Sequence, residues 1–363
     1  MPATSTKAFH TKPFDEGTLT KLTIFELYAG EWLPVFLSRE RPPKAEVHLF
    51  DFFAGPGTDS TGELGSPMRL LRQLKVYQGL AGWSQVKISA HFFDADRSVI
   101  AALEASIDQQ HLRLPKVTLD IRPLKFEDAI QECATTLANQ HAAKLLFIDQ
   151  FGVDYVTPKV FRQLVSAPTC DFLFFLSSLT LHRFHDHLAI KLKITRPDDP
   201  HHVHRAALDY YRTLLPSPSK YYLAPFSIRK SPNIYGLIFG SAHPLGIDKF
   251  LRVAWKQDAI NGEANYDINR DNIPSDQMVL SLEEFRPSKV TVFEHELEQL
   301  LRTGQLKDEL DVVHVCFNHG VKRQRAQAIL AKLKSERVIE ADFRVPQIEP
   351  RFLRKPRPIR VLK

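Results

Sequence analysis

The sequence predicts a doubly wound α/β domain followed by a winged helix-turn-helix unit, and three observations lead there. Five short apolar runs alternate with amphipathic stretches between residues 45 and 178. Two further apolar runs, "KYYLAPFSIR" and "NIYGLIFGSAH", are separated only by a "KSPN" turn. Beyond Pro287 the texture changes to three helical stretches that run into "VIEADFRVP", read as a short strand pair. Strands that alternate with helices need right-handed crossovers and so make a largely parallel sheet. A connection as short as "KSPN" cannot cross a sheet, so the last two strands are antiparallel.

Taken in order, residues 18 to 38 place Leu22, Phe25, Tyr28, Trp32 and Val35 at helical spacing, which predicts an amphipathic helix packed on the following domain. "RERPPK" interrupts it, and "AEVHLFDFF" begins the first strand. "VKISAHFFDAD" (86–96), "KVTLDIRPL" (116–124), "AKLLFIDQFG" (143–152) and "CDFLFFLSS" (170–178) supply four more. "SPMRLLRQLKVYQGL", "RSVIAALEASIDQQ" and "FEDAIQECATTLANQ" are the helices between them. A parallel sheet finished by an antiparallel hairpin is the class I methyltransferase-like Rossmann arrangement. Residues 179 to 218, rich in His, Arg and Asp, read as helices or as an excursion over the active face. In the last part, "FEHELEQLLRTG" reads as a helix ended by Gly304, "LDVVHVCFNHG" as one ended by Gly320, and "KRQRAQAILAKLKSERVIE" as the third. The expected divisions are an N-terminal helical segment (1–44), the α/β domain (45–285), the winged helix (286–345) and a basic tail (346–363).

A chain of 363 residues exceeds what one core serves, so more than one domain is expected. A hydrophobic content of 44% and a charged content of 25% are ordinary for a globular protein. No apolar run approaches the roughly 18 residues of a membrane span, and the N-terminus lacks a secretory h-region, so a cytoplasmic protein without a membrane role is expected. Three cysteines, Cys133, Cys170 and Cys316, are odd in number and far apart, which suits reduced core residues. The formal net charge is +6, and the excess is C-terminal. From Arg286 onward there are 17 of the 48 lysines and arginines but only 10 of the 42 acids. "PQIEPRFLRKPRPIRVLK" alone has six cations and one acid, which reads either as a solvated end or as a grip on a phosphate backbone.

The loop after the first strand, in "VHLFDFFAGPGTDSTGELGSP" (47–67), carries the strongest chemical signal. In open α/β sheets ligands sit beyond the carboxyl ends of the strands. Ala54, Gly55, Pro56, Gly57 and Thr58 form a small loop there, with Gly55 and Gly57 leaving room for a ligand against the backbone. Ser66 and Pro67 read as the N-cap and first residue of the next helix. About ten residues intervene before that helix, and no Lys-Ser/Thr follows, so neither a dinucleotide fingerprint nor a phosphate loop is present. Acids end the first three strands: Asp51, then Asp94 and Asp96 around Ala95, then Glu127 and Asp128. An ammonium group, a ribose diol and an adenine amine need acceptors in that order, which is the pattern of S-adenosylmethionine. At the fourth strand end, "FIDQFG", Asp149 and Phe151 are candidates to accept from and stack on a target amine, with Gln150 standing where a proline is usual. Asp149 capping a turn is the competing reading.

The sequence also offers His182, His185, His187, His201, His202 and His204, with Asp186 and Asp209 nearby, either as exposed polar residues or as the metal site of a nuclease. Lys322, Arg323 and Arg325 open the third C-terminal helix, where a winged helix meets the major groove.

"FDFFAGPGTDSTGELGSP", "FIDQFG", "DFLFFLSS" and "YGLIFGSAHPLGIDKFLRVAWKQDAINGEANYD" resemble the three-Cys-motif partner protein family over roughly residues 20 to 345. The resemblance implies an S-adenosylmethionine-dependent methyltransferase-like fold, in some members with a C-terminal winged helix, and a radical-S-adenosylmethionine-like partner protein. The cysteines in the family's name belong to that partner, not to this chain. The function expected is methyl transfer to a base amine of DNA or RNA; the alternative is a nucleic-acid-binding or assembly protein that keeps a cofactor pocket without catalysis.

Overall fold

The computed structural model describes residues 12–149, 155–177, 203–217, 221–230, 233–266 and 289–362. Its centre is a seven-stranded sheet of β1 (Glu46–Asp51), β2 (Lys87–Asp94), β3 (Val117–Pro123), β4 (Ala142–Ile148), β5 (Cys170–Ser177), β6 (Tyr222–Lys230) and β7 (Asn233–Ser241). The strand order is β3-β2-β1-β4-β5-β7-β6. The first five strands are parallel, and β7 pairs antiparallel with both β5 and β6. All seven lie where the apolar runs predict them.

Strand side chains alternate between two apolar layers. Val47 and Leu49 face a layer shared with α1 (Glu16–Leu37), α2 (Ser66–Val76), α3 (Arg97–Gln109) and, further on, α8 (Pro244–Gln257). Phe50 and Phe52 face the opposite layer, with α4 (Phe126–Glu132), α5 (Ala134–Ala138), α6 (Pro158–Ser166) and α7 (Val203–Thr213). In α1 the predicted seam is buried at Leu22, Phe25, Tyr28 and Trp32. Phe25 stacks on Phe147 at 4.2 Å between centroids, and Tyr28 meets Phe239 edge-on at 4.8 Å. Burying each of these side chains contributes roughly 1.5–3 kcal/mol. The Tyr28 hydroxyl donates to buried Asp171 Oδ2 at 2.5 Å, at the start of β5. Burial raises Asp171 to about 6, against the opposing hydrogen bonds of Ser241, Tyr28 and Trp32.

A polar chain crosses three strands on the other face. Glu46 Oε2 lies 2.8 Å from His48 Nε2, His48 Nδ1 lies 3.0 Å from His91 Nε2, and His91 Nδ1 lies 3.1 Å from Asp120 Oδ2. Arg122 then joins Asp120 to Glu132. Cys133, Cys170 and Cys316 are free and buried, as expected of core thiols.

The C-terminal unit has α9 (Lys289–Arg302), α10 (Glu309–Asn318), a 3₁₀ turn at Arg323–Arg325, α11 (Ala326–Ser335), β8 (Ile339–Ala341), α12 (Pro350–Arg354) and β9 (Ile359–Val361). Two expectations change here. Residues 346–363 do not form a separate tail: β9 pairs with β8, and Ile348 and Ile359 are buried. The strand pair is therefore not contained in "VIEADFRVP", because Ala341 at the end of β8 finds its partner in Ile359. The unit also shares a continuous apolar layer with the sheet domain, in which Phe317 meets Tyr222 edge-on at 5.6 Å.

The C-terminal segment is anchored by charge. Glu309 is wholly buried, and Arg357 reaches it with Nε at 3.1 Å and Nη2 at 2.7 Å. Arg357→Ala leaves that carboxylate with only backbone N–H partners, and is expected to destabilise the protein by about 2 kcal/mol or more in urea unfolding. An unchanged midpoint would show that the Arg357–Glu309 pair contributes nothing to the unit's stability.

Candidate functional site

The site is assembled at the carboxyl ends of β1, β2 and β4. Asp51 ends β1 and is completely buried. Its Oδ1 accepts the Phe53 N–H at 3.1 Å, while Oδ2 has no hydrogen-bond partner among the described residues. Burial raises its carboxyl to about 7; the Ser66 hydroxyl and the Phe53 N–H oppose the shift, and the charges of Asp149 and Asp94 add to it. The charges of the two neighbouring strand-end carboxylates thus reach Asp51. Ser66 is buried in the first turn of α2, whose N-cap is Gly65, one residue earlier than predicted.

Asp94 ties the first two loops together. Its Oδ2 accepts the Gly55 N–H at 3.3 Å and its Oδ1 the Asp96 N–H at 3.0 Å. Each oxygen keeps acceptor capacity for a further donor. Asp96 is the N-cap of α3 and is used by the Ser98 N–H at 2.7 Å, so its role is structural. Ala95 between them is exposed.

The loop itself is fixed by the backbone. Ala54 N–H donates to Phe93 O at 2.9 Å, Pro56 O accepts from Ser106 Oγ at 3.1 Å, and Thr58 bridges Leu64. Asp59 gathers the N–H groups of Phe14, Thr61 and Glu63 beneath it. Gly57 has φ +89°, and a Cβ there would meet Leu103 Cδ1 at 3.0 Å and Ser106 Cβ at 3.1 Å. This glycine is therefore required by packing against α3 and by its left-handed backbone, not by the room for a ligand that its sequence setting suggests. Glu127 and Asp128 lie just past the end of β3, exposed in the first turn of α4. Phe53, Phe126 and Tyr155 pack together with centroids 5.2–5.6 Å apart, which holds the loops after β1 and β3 beside the chain that follows β4.

Asp149 follows β4 as predicted, but it is not alone. Lys21 of α1 forms an ion pair with its Oδ2 and lies 5.3 Å from the Phe175 ring centre. The pair is mostly shielded, with side-chain exposures of 14% and 21%. No sequence motif singles out Lys21, although it sits four residues before Phe25, in line with the buried seam, where a charge has no packing reason to be. Phe151, with Gln150, lies outside the described residues.

The other candidate groups take different places. His204 is buried, its Nε2 2.8 Å from Glu263 Oε1, and Arg205 holds the same carboxylate at 2.6 and 2.9 Å. His182, His185, His187, His201, His202 and Asp186 lie outside the described residues. Asp209 is exposed and pairs with Arg212. No cluster able to hold a metal ion occurs among the described residues, and no helix among them is long and apolar enough to cross a membrane.

Lys322, Arg323 and Arg325 do come together, but against the protein. Arg323 is buried, with Nε 2.7 Å from Asp248 Oδ1 and Nη1 2.5 Å from Pro346 O. Lys322 and Arg325 sit 4.8 and 5.2 Å from the ring centre of Trp255 in α8. The trio pins the C-terminal unit to the sheet domain, and Arg323 is held by Asp248 and Pro346 rather than offered to a groove.

No family model and no curated protein matches the chain. Solved structures do: a SAM-dependent methyltransferase from Agrobacterium tumefaciens, at 9% identity over 62% of this chain and 62% of that one (TM-score 0.35); spermidine synthase from Thermotoga maritima, at 14% over 63% and 60% (0.33); and an O-methyltransferase from Bacillus cereus solved with SAH, at 13% over 64% and 84% (0.37). The chain thus spans about three fifths of the length of the first two.

The Asp51 shift has a definite sign. Its folded value of about 7 lies above the ordinary carboxylate range, so the group favours folding at low pH and this contribution is lost as pH rises through 7. Wild-type stability in urea is expected to fall between pH 4 and pH 7 by on the order of a few kcal/mol on this account, and Asp51→Asn to flatten that limb. Parallel pH profiles for the two proteins would remove Asp51 as the cause.

Proposed function

We propose that the chain is an S-adenosylmethionine-dependent methyltransferase acting on nucleic acid. The observation that carries the reading is Asp51: a wholly buried carboxylate with one unpartnered oxygen, beside Asp94 and Asp149, at the carboxyl edge of a Rossmann-like sheet. Such a cluster is unfavourable until a cation enters it. S-adenosylmethionine carries an ammonium and a sulfonium, and when bound it would supply an electrophilic methyl group. Asp51 would hold the ammonium end and Asp94 the ribose hydroxyls. The Gly55 loop would lie along the cofactor, with Glu127 and Asp128 within reach of the adenine amine. Positioning and charge placement are what these residues contribute to transfer.

We read the C-terminal unit as a winged helix that presents substrate. With Arg323 committed internally and Lys322 and Arg325 set over Trp255, the binding of phosphates falls to Arg351, Arg354, Lys355 and Arg360, all exposed. The family resemblance extends the reading to a radical-S-adenosylmethionine-like partner protein. The reading of a non-catalytic binding protein is favoured by one observation, that Asp149 is already neutralised by Lys21.

Titration calorimetry tests the cofactor. S-adenosylmethionine affinity is expected to rise with pH up to about 7 and level off above it, because the bound cation favours ionised Asp51, with proton uptake by the buffer below pH 7. Asp94→Ala should weaken binding by about 2 kcal/mol through the unpaired hydroxyls it leaves. Absence of binding at any pH would end the methyltransferase reading, and tight binding without transfer to any nucleic acid would favour the non-catalytic one. For substrate, replacing Arg354 and Lys355 with Ala should lower the slope of log affinity against log salt by roughly 0.9 for each duplex phosphate that is no longer neutralised. An unchanged slope would take that face out of the interface.

A further inference from the structure

The geometry points to a hydroxyl group, not a base amine, as the methyl acceptor, with Lys21 and Asp149 as the pair that activates it. This inference rests on the methyltransferase reading and refines its substrate. On a nucleic acid, the internal hydroxyl is the ribose 2′-OH, so the substrate class becomes RNA.

The chemistry turns on charge. An attacking amine gains positive charge as it bonds to carbon, and is served by acceptors with no cation beside them. Here the only described side chain at the end of β4 able to accept from such an amine, Asp149, is ion-paired with Lys21. The ammonium lies where positive charge would develop, in a site shielded enough for the repulsion to count. A hydroxyl has the opposite need. It must lose a proton, and its oxygen gains negative charge on the way to transfer. A carboxylate and an ammonium held together meet both needs. The hydroxyl oxygen bonds to the methyl carbon as the carbon–sulfur bond breaks, and that bond's electron pair stays on sulfur. The hydroxyl proton passes to Asp149, and Lys21 steadies the oxygen while it is electron-rich.

The placement of Lys21 fits this role. It is carried on α1, which is locked to the sheet by Phe25, Tyr28 and the Tyr28–Asp171 bond, so its ammonium is held in place at the strand ends. Partial exposure of both members leaves them reachable by a ligand. The face of Phe175 that Lys21 overlies borders the same strand ends.

The test uses the full-length protein, tritiated S-adenosylmethionine, and total RNA and DNA from cells lacking the gene. Label in alkali-resistant dinucleotides of RNA, the mark of a 2′-O-methyl group, is expected. Lys21→Met and Asp149→Asn should each lower kcat at least about 100-fold, while calorimetric binding of S-adenosylhomocysteine and the urea midpoint change little. Lys21→Arg should recover part of kcat with KM for the cofactor unchanged. Label released with the bases overturns the hydroxyl assignment and leaves the methyltransferase reading standing. No label in RNA, with cofactor binding intact, overturns the inference, and no label in DNA either overturns the nucleic-acid substrate with it. If Lys21→Met loses stability and cofactor binding in proportion to rate, Lys21 is a structural anchor and the inference fails.

Discussion

The molecule depends on how α1 lies across the sheet. Tyr28 bonds Asp171 at the amino end of β5, and seven residues earlier Lys21 pairs with Asp149 at the carboxyl end of β4. Seven residues of helix span about 10 Å, so the two bonds fix the helix at both edges of the parallel strands. Between them Phe25 and Tyr28 fill the apolar layer against Phe147 and Phe239. A segment that the sequence marks as a preface is thus a wall of the core. It also carries one of the few charges directed at the candidate site.

Charge placement connects that wall to the chemistry. Asp51, Asp94 and Asp149 gather at one strand edge, and only Asp149 has a cationic partner among the described residues. Asp94 spends part of its capacity on the Gly55 and Asp96 amides, which holds the first two loops in register. What remains is an electronegative strand edge at which Asp51 Oδ2 is both buried and without a hydrogen-bond partner among the described residues. The cations of the C-terminal unit divide in a similar way: Arg323 and Arg357 are paired with buried carboxylates, while Arg351, Arg354 and Lys355 face solvent.

Much of the sheet is legible in the sequence because each strand is a short apolar run bounded by polar turns, and parallel or antiparallel pairing follows from connection length alone. The strand-end acids are legible for the same reason, since the ends of the runs locate them. Lys21 is not, because its significance lies in a bond to a residue 128 positions away, and local spacing shows only a charge out of place on an apolar seam. The basic trio at 322–325 misleads for a related reason. Composition places cations on a helix start but does not say which surface that start faces, and here Trp255 and Asp248 claim them. Proline and charge make 346–363 look like a free end, whereas Ile348 and Ile359 are buried and Arg357 is tied to buried Glu309.

The histidine and carboxylate chain across β1, β2 and β3 has a bearing on how the strands find their partners. Parallel apolar strands such as these can slide by two residues and still bury the same kind of face. In this sheet a slide of β2 would move His91 away from both His48 and Asp120, breaking the thread at two points and leaving Asp120 to the guanidinium of Arg122. The polar thread therefore acts as a key between strands that hydrophobicity alone would not align, and it singles out one pairing from several that bury equal area.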